Sequence, residues 1–293
     1  MTAAPDLWRQ WDVHPSVIMG LALLGGLYAY LGGLTAPRRR VASFAGALLV
    51  LGLALNGPLH NLSDGYLFSA HMVQHLVLTL VFPPLLLYGT PAWVVRPLLQ
   101  PHWVHRFARR ATRPLAAGVL FSVPITLWHF PQFYEAALEH HPLHIVQHLV
   151  FLATGVVMWW PVLSPTPELP RASYLTQLLY LFVLGLPMSV AGALITLSDD
   201  VLYPFYAAAP RAWEGGLAPL ADQQLGGLVM WVGGTIYLWV AATVVWFRWA
   251  AREEHGEAER AVPLEAYGIA DFGLRIADSN ARVSRRRATP PDA

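Results

Sequence analysis

Seven stretches of this sequence stay apolar over the roughly 20 residues that a helix needs to cross the hydrocarbon core of a bilayer. They fall at roughly 16–34, 41–58, 71–90, 114–135, 144–163, 173–197 and 223–247. Inside lipid the backbone must satisfy its own hydrogen bonds, which long unbroken apolar runs do as helices. The expected fold is all-α: a polytopic membrane protein with seven transmembrane helices over 1–248 and a charged, partly disordered tail over 249–293. Composition agrees, since only 13% of the residues are charged, against about 25% in soluble domains. The first stretch does not read as a cleavable signal. Asp6, Arg9 and Asp12 give it a mixed flank, and Arg38, Arg39 and Arg40 follow it as a stop-transfer pattern.

Charge orients the bundle. There is no lysine, so all 19 basic side chains are arginine. Alternate loops carry Arg38 to Arg40, then Arg96, Arg106, Arg109, Arg110 and Arg113, then Arg171, while the opposite side has only Arg9 and Arg211. The positive-inside rule therefore places the C-terminus in the cytoplasm and the N-terminus outside. Trp93, Trp159, Trp160, Trp246 and Trp249 fall at the expected cytoplasmic ends. Pro83, Pro84, Pro124 and Pro187 interrupt spans, and glycine pairs at 25–26, 226–227 and 233–234 permit close helix packing.

Two segments nearly repeat: "HMVQHLVLTL" from His71 and "HIVQHLVFLA" from His144. Each opens a span with histidines four residues apart, which stacks two imidazoles on one helical face about 6 Å apart along the axis. Both spans enter from outside. His71, His75, His144 and His148 thus offer four nitrogens to one metal ion, with His129 and His60, at the outer ends of neighbouring spans, as caps or ingress ligands. Ionisable groups in a membrane usually face the bundle interior or a water-filled cavity. A hydrogen-bonded cluster or a proton relay is the alternative use. Asp199 and Asp200 after span six, and Asp222 and Gln223 opening span seven, are candidates to fix imidazole tautomers; Asp222 also suits a helix cap. Met188 and Met230 lie about two turns below the outer surface and offer thioether sulfur, although packing is the commoner use of such residues.

The chain contains no cysteine, which excludes disulfides, thiolate metal sites and cysteine nucleophiles. No phosphate loop, nucleophile elbow or nucleotide fingerprint appears, so neither an enzyme nor a nucleic-acid binder is expected. Thiol-free, nitrogen-rich ligation suits copper, zinc or iron. A haem gripped by two imidazoles is the rival, which would make the chain a membrane b-type cytochrome. A copper or proton transporter ranks third, because the inner halves of the spans carry few polar groups.

The blocks "SAHMVQHLVLTLVFPPLLLYGTP", "WHFPQFYEAAL", "HIVQHLVFLATGVVMWWPVL", "DDVLYPFY" and "LADQQLGGLVMWVGG", in that order, resemble the polytopic CtaG-type cytochrome c oxidase assembly factors. They are spread over about residues 60–248, essentially the whole membrane part. The resemblance implies an accessory protein of a bacterial plasma membrane that helps mature a haem-copper oxidase, with copper delivery to an oxidase subunit as the favoured role. Its histidine motifs fall on His71, His75, His129, His144 and His148, and its Asp-Gln-Gln block on Asp222, Gln223 and Gln224; His60 belongs to the pattern less firmly.

Overall fold

The computed structural model describes residues 11–254; most of the tail expected over 249–293 lies outside them. Every regular element among the described residues is helical. In chain order these are α1 (Pro15–Tyr30), α2 (Arg38–Asn56), α3 (Pro58–Gly65), α4 (Phe68–Gly89), α5 (Ala92–Leu99), α6 (His102–Ala111), α7 (Pro114–Trp128), α8 (Pro131–Glu139), α9 (His141–Leu163), α10 (Tyr174–Thr196), α11 (Pro204–Ala208) and α12 (Pro219–Glu253).

Five helices, α2, α4, α9, α10 and α12, are long and apolar enough to cross a membrane. The stretch expected as one span over 114–135 is instead a bent pair, α7 and α8, meeting at 75°. Pro131 explains the break: proline disfavours helical geometry in the residue before it, and Phe130 there is extended. The first expected span is 16 residues long, ended by Gly32 in the left-handed region at φ 78°.

Helix α4 is the centre. Of its most apolar window 61% is buried, against 22–44% for the other four spans. It contains a π-helical turn at Val77–Val81, which begins two residues after His75. Pro83 has no N–H to give the Thr79 carbonyl; the Trp159 indole of α9 donates to that carbonyl instead, at 3.0 Å. The Thr79 hydroxyl in turn donates to the His75 carbonyl at 2.7 Å. A turn above Trp159, Gly155 lets α9 approach: a Cβ there would fall 3.3 Å from the Thr79 Cα. Glycines likewise bring α12 in, as the 226–227 pair led one to expect. A Cβ on Gly227 would fall 2.5 Å from Thr196 Oγ1 of α10, and one on Gly226 would strike the Phe68 ring of α4. The pair at 25–26 differs, since a Cβ on Gly26 meets nothing.

The arginine-bearing ends gather at one pole. Arg40 lies 6.0 Å from the Tyr88 ring, and Arg96 pairs with Glu168 at 2.7 Å. His71, His75, His129, His144 and His148 occupy the other pole, whereas His102 lies among the arginines, 3.0 Å from Arg106.

Candidate metal centre

The i, i+4 spacing does what helical geometry demands. On α4 the His71 and His75 rings are 4.3 Å apart between centroids, and on α9 the His144 and His148 rings are 4.3 Å apart. The two pairs face each other, with His71 5.3 Å from His144 and His75 5.7 Å from His148. His129, at the break between α7 and α8, stands 5.5 Å from His75. The Phe151 ring lies edge-on to His75 at 4.8 Å. All five histidines are buried, His71 completely.

Their nitrogens set this cluster apart. Nε2 of His71, His75, His129, His144 and His148, and also Nδ1 of His75, are buried with no hydrogen-bond partner. Buried polar atoms are rarely left unpaired, and each such atom costs about 1–3 kcal/mol. Six at one place make these imidazoles candidates for a ligand set. Tautomers agree. The Tyr206 hydroxyl donates to the Ser63 carbonyl at 2.7 Å, so it must accept from His71 Nδ1–H at 2.7 Å. His129 Nδ1 donates to the Ile125 carbonyl at 2.5 Å. In both rings the proton is on Nδ1, which leaves the Nε2 lone pair for a cation, the arrangement typical of metal-binding histidines.

Among the described residues, two sets of three bring one ligand atom each within 4.8 Å of the others: His71 with His75 and His148, and Asp64 with His71 and His144. Ligand atoms around a tetrahedral ion with bonds near 2.0–2.1 Å are about 3.3 Å apart, so modest rotations complete either set. His60 stands outside both. Its Nδ1 is 3.1 Å from Gln74 Nε2, which donates, and its Nε2 is 2.8 Å from His14 Nε2. Burial and the neighbouring His14 hold the His60 imidazole down to about 4, whereas burial pushes the Asp64 carboxyl up to about 7 against the Ser63 hydrogen bond.

The carboxylates and thioethers expected to support the site do something else. Asp199 and Asp200 are exposed, and neither carboxylate bonds a histidine among the described residues; they end a helix at a water-facing loop. Asp222 caps a helix, but not its own. Its Oδ2 accepts Phe68 N–H at 2.7 Å, and its Oδ1 accepts Ser69 N–H at 3.2 Å and the Ser69 hydroxyl at 2.5 Å. These are the first amides of α4, whose N-cap residue is Leu67 and has no capping side chain. Gln223 accepts Leu202 N–H at 2.6 Å and donates to the Asp200 carbonyl at 3.0 Å. It thereby holds the loop that delivers Tyr203 to the His129 carbonyl, at 2.8 Å, and Tyr206 to His71. Met188 and Met230 belong to the apolar core, and the Met188 thioether closes over Gly234.

Sequence reasoning passed over Asp64, His14, Tyr206 and Gln147. The block "DDVLYPFY" contains Tyr206 but advertises its carboxylates first. Gln147, between the two histidines of α9, is buried with both amide atoms unpartnered, whereas its counterpart Gln74 is bonded to the Ala54 carbonyl at 2.7 Å.

The family profile described as cytochrome c oxidase caa3 assembly factor (Caa3_CtaG) matches residues 24–252, so the match contains all five clustered histidines. The chain belongs to the Caa3_CtaG family. Similar curated proteins are mycobacterial. An uncharacterized protein of Mycobacterium leprae is 22% identical over 84% of this chain and 39% of its own length. Uncharacterized proteins of Mycobacterium bovis and Mycobacterium tuberculosis are each 27% identical over 81% of this chain and 40% of theirs. The chain thus spans about two-fifths of the length of these relatives. No solved structure matches it.

Proposed function

We propose that this Caa3_CtaG protein serves caa3-type oxidase assembly by holding copper in its histidine cluster and passing it to an oxidase subunit. His71, His75 and His148 form the holding set, with His129 and His144 beside it. The observation that carries this reading is the five buried imidazoles whose Nε2 atoms lack any protein partner. Borderline nitrogen ligands without thiolate suit copper and permit release. Copper is here the cargo, and no catalytic step is required of the chain.

The same reading places seven spans in the bacterial plasma membrane, counting α1 and the bent α7–α8 pair, with the histidine pole outside. The segregation of Arg40 and Arg96 to the opposite pole supports that orientation. A haem-carrying cytochrome fits less well. The cluster rings are 4.3–6.1 Å apart, so a macrocycle gripped by any two would need the space the others fill.

The test is oxidase maturation in cells whose only copy of this protein is His75→Ala. The expected outcome is a membrane-inserted variant at normal abundance with copper-deficient oxidase, rescued by added copper. Full oxidase copper content in that strain would refute the reading.

A further inference from the structure

The cluster contains two three-residue sets that share one histidine, and the sharing has a consequence. Tyr206 occupies Nδ1 of His71, so His71 has a single free lone pair, on Nε2. One lone pair cannot bind two ions at once. Asp64, on α3, contributes the only carboxylate to either set. Its Oδ2 lies 3.5 Å from His144 Nδ1 and 3.5 Å from His60 Nε2. Charge-assisted hydrogen bonds close to about 2.7–2.9 Å. A 3.5 Å spacing is instead near the separation of ligand atoms around a shared cation.

Exposure falls inward along the same residues. His141 is exposed, the Asp64 side chain is 28% exposed, that of His144 is 7%, and His71 is fully buried. A cavity of about 280 Å³ between α1, α2 and the start of α9 is lined by His14, His60, His141, His144 and His148. Apolar side chains such as Leu51 and Leu152 complete its wall, and it reaches the cluster at His144 and His148.

We propose that a cation occupies two positions in succession: an outer one held by Asp64, His144 and His71, and the inner His71–His75–His148 set. This rests on the histidine cluster being a metal centre. His71 is the pivot. It keeps its bond to the ion while Asp64 and His144 are exchanged for His75 and His148. Charge distinguishes the positions. The outer one has a formal anion and suits a divalent ion, whereas the inner one is built of neutral imidazoles, where an uncompensated second charge is costly to bury. The outer position therefore favours divalent ions and the inner one monovalent ions; an ion that moves between them exchanges ligands and keeps its own charge, so a monovalent ion passes inward and a divalent one is held at the outer position.

Purified full-length protein in lipid nanodiscs tests this with two probes, Co(II), whose visible spectrum reports its ligands, and Ag(I), a monovalent soft ion. Wild type should bind either probe, and Ag(I) should displace Co(II) rather than join it. Asp64→Asn should weaken Co(II) more than about tenfold and leave Ag(I) binding within about threefold, and His75→Ala should do the reverse. Retained binding of one probe shows that each variant folds. Simultaneous binding of both ions by wild type, or Co(II) binding indifferent to Asp64→Asn, overturns the outer position while leaving the inner centre intact. Failure of wild type to bind either ion overturns the metal centre itself and this proposal with it.

Discussion

Asp222→Asn tests whether the histidine-bearing helix is held from outside. Asp222 is 1% exposed and its carboxylate takes three donors, two of them backbone amides in the first turn of α4. A helix start leaves four amides without partners, and here another helix supplies the acceptor. Each hydrogen bond to a charged group contributes about 1.5–3 kcal/mol. A carboxylate at a helix N-terminus adds about 0.3–1 kcal/mol, and up to about 2 in a partly buried setting. Asparagine keeps one acceptor oxygen but turns an NH₂ toward a backbone N–H, so it loses the charge and at least one bond. The expected loss is about 2–4 kcal/mol, or roughly 5–15 °C in Tm for a protein of this size. Asp222→Ala leaves both amides bare and should cost more, about 4–6 kcal/mol. Melting in detergent, followed by tryptophan fluorescence, reads the stability. Ag(I) titration reads the site, because His71 is on the turn that would fray. A Tm within about 2 °C of wild type, with unchanged Ag(I) affinity, would refute the capping argument.

Other perturbations follow from single contacts. Tyr206→Phe frees His71 Nδ1 from its tautomer-fixing partner and should weaken Ag(I) binding about 10–100-fold with little change in fold, as far-ultraviolet circular dichroism would show. Gly227→Ala drives a Cβ to 2.5 Å from Thr196 Oγ1 and 2.9 Å from the Gly192 carbonyl oxygen; thermal melts should show a loss of about 1–3 kcal/mol. Gly46→Ala, where a Cβ meets nothing within 4 Å, should instead raise stability by about 0.5–1 kcal/mol in the same assay. Trp159→Phe leaves the Thr79 carbonyl without its donor and should cost about 1–3 kcal/mol in detergent melts.

What was legible in the sequence followed periodicity and length. The H-x-x-x-H repeat fixed that His71 and His75 share a face, as do His144 and His148, and no tertiary fact was needed for that. That the two faces meet is a property of Gly155 and of the Trp159 bond to Thr79, contacts between residues more than 70 positions apart. Span length identified α2, α4, α9, α10 and α12, but apolar composition is blind to a bend, so the break at His129–Phe130 showed only as Pro131. The contacts of the acidic residues were hidden for a related reason. An acidic residue at a span end signals an interface, and only coordinates reveal whether it faces water, as Asp199 and Asp200 do, or reaches across to another helix, as Asp222 does. Asp64 gave no signal at all. It sits in the short polar segment between two spans, and its value comes from lying 3.5 Å from both His60 and His144.

The most direct measurement is copper analysis of the protein purified from copper-supplemented cells, wild type beside a His71→Ala/His75→Ala double variant, with X-ray absorption on the loaded sample. The expected result is roughly one copper per wild-type chain, an inner shell of imidazole nitrogen without sulfur, and loss of nearly all copper in the variant. Equal copper in both proteins, or a shell containing thioether sulfur, would contradict the assignment.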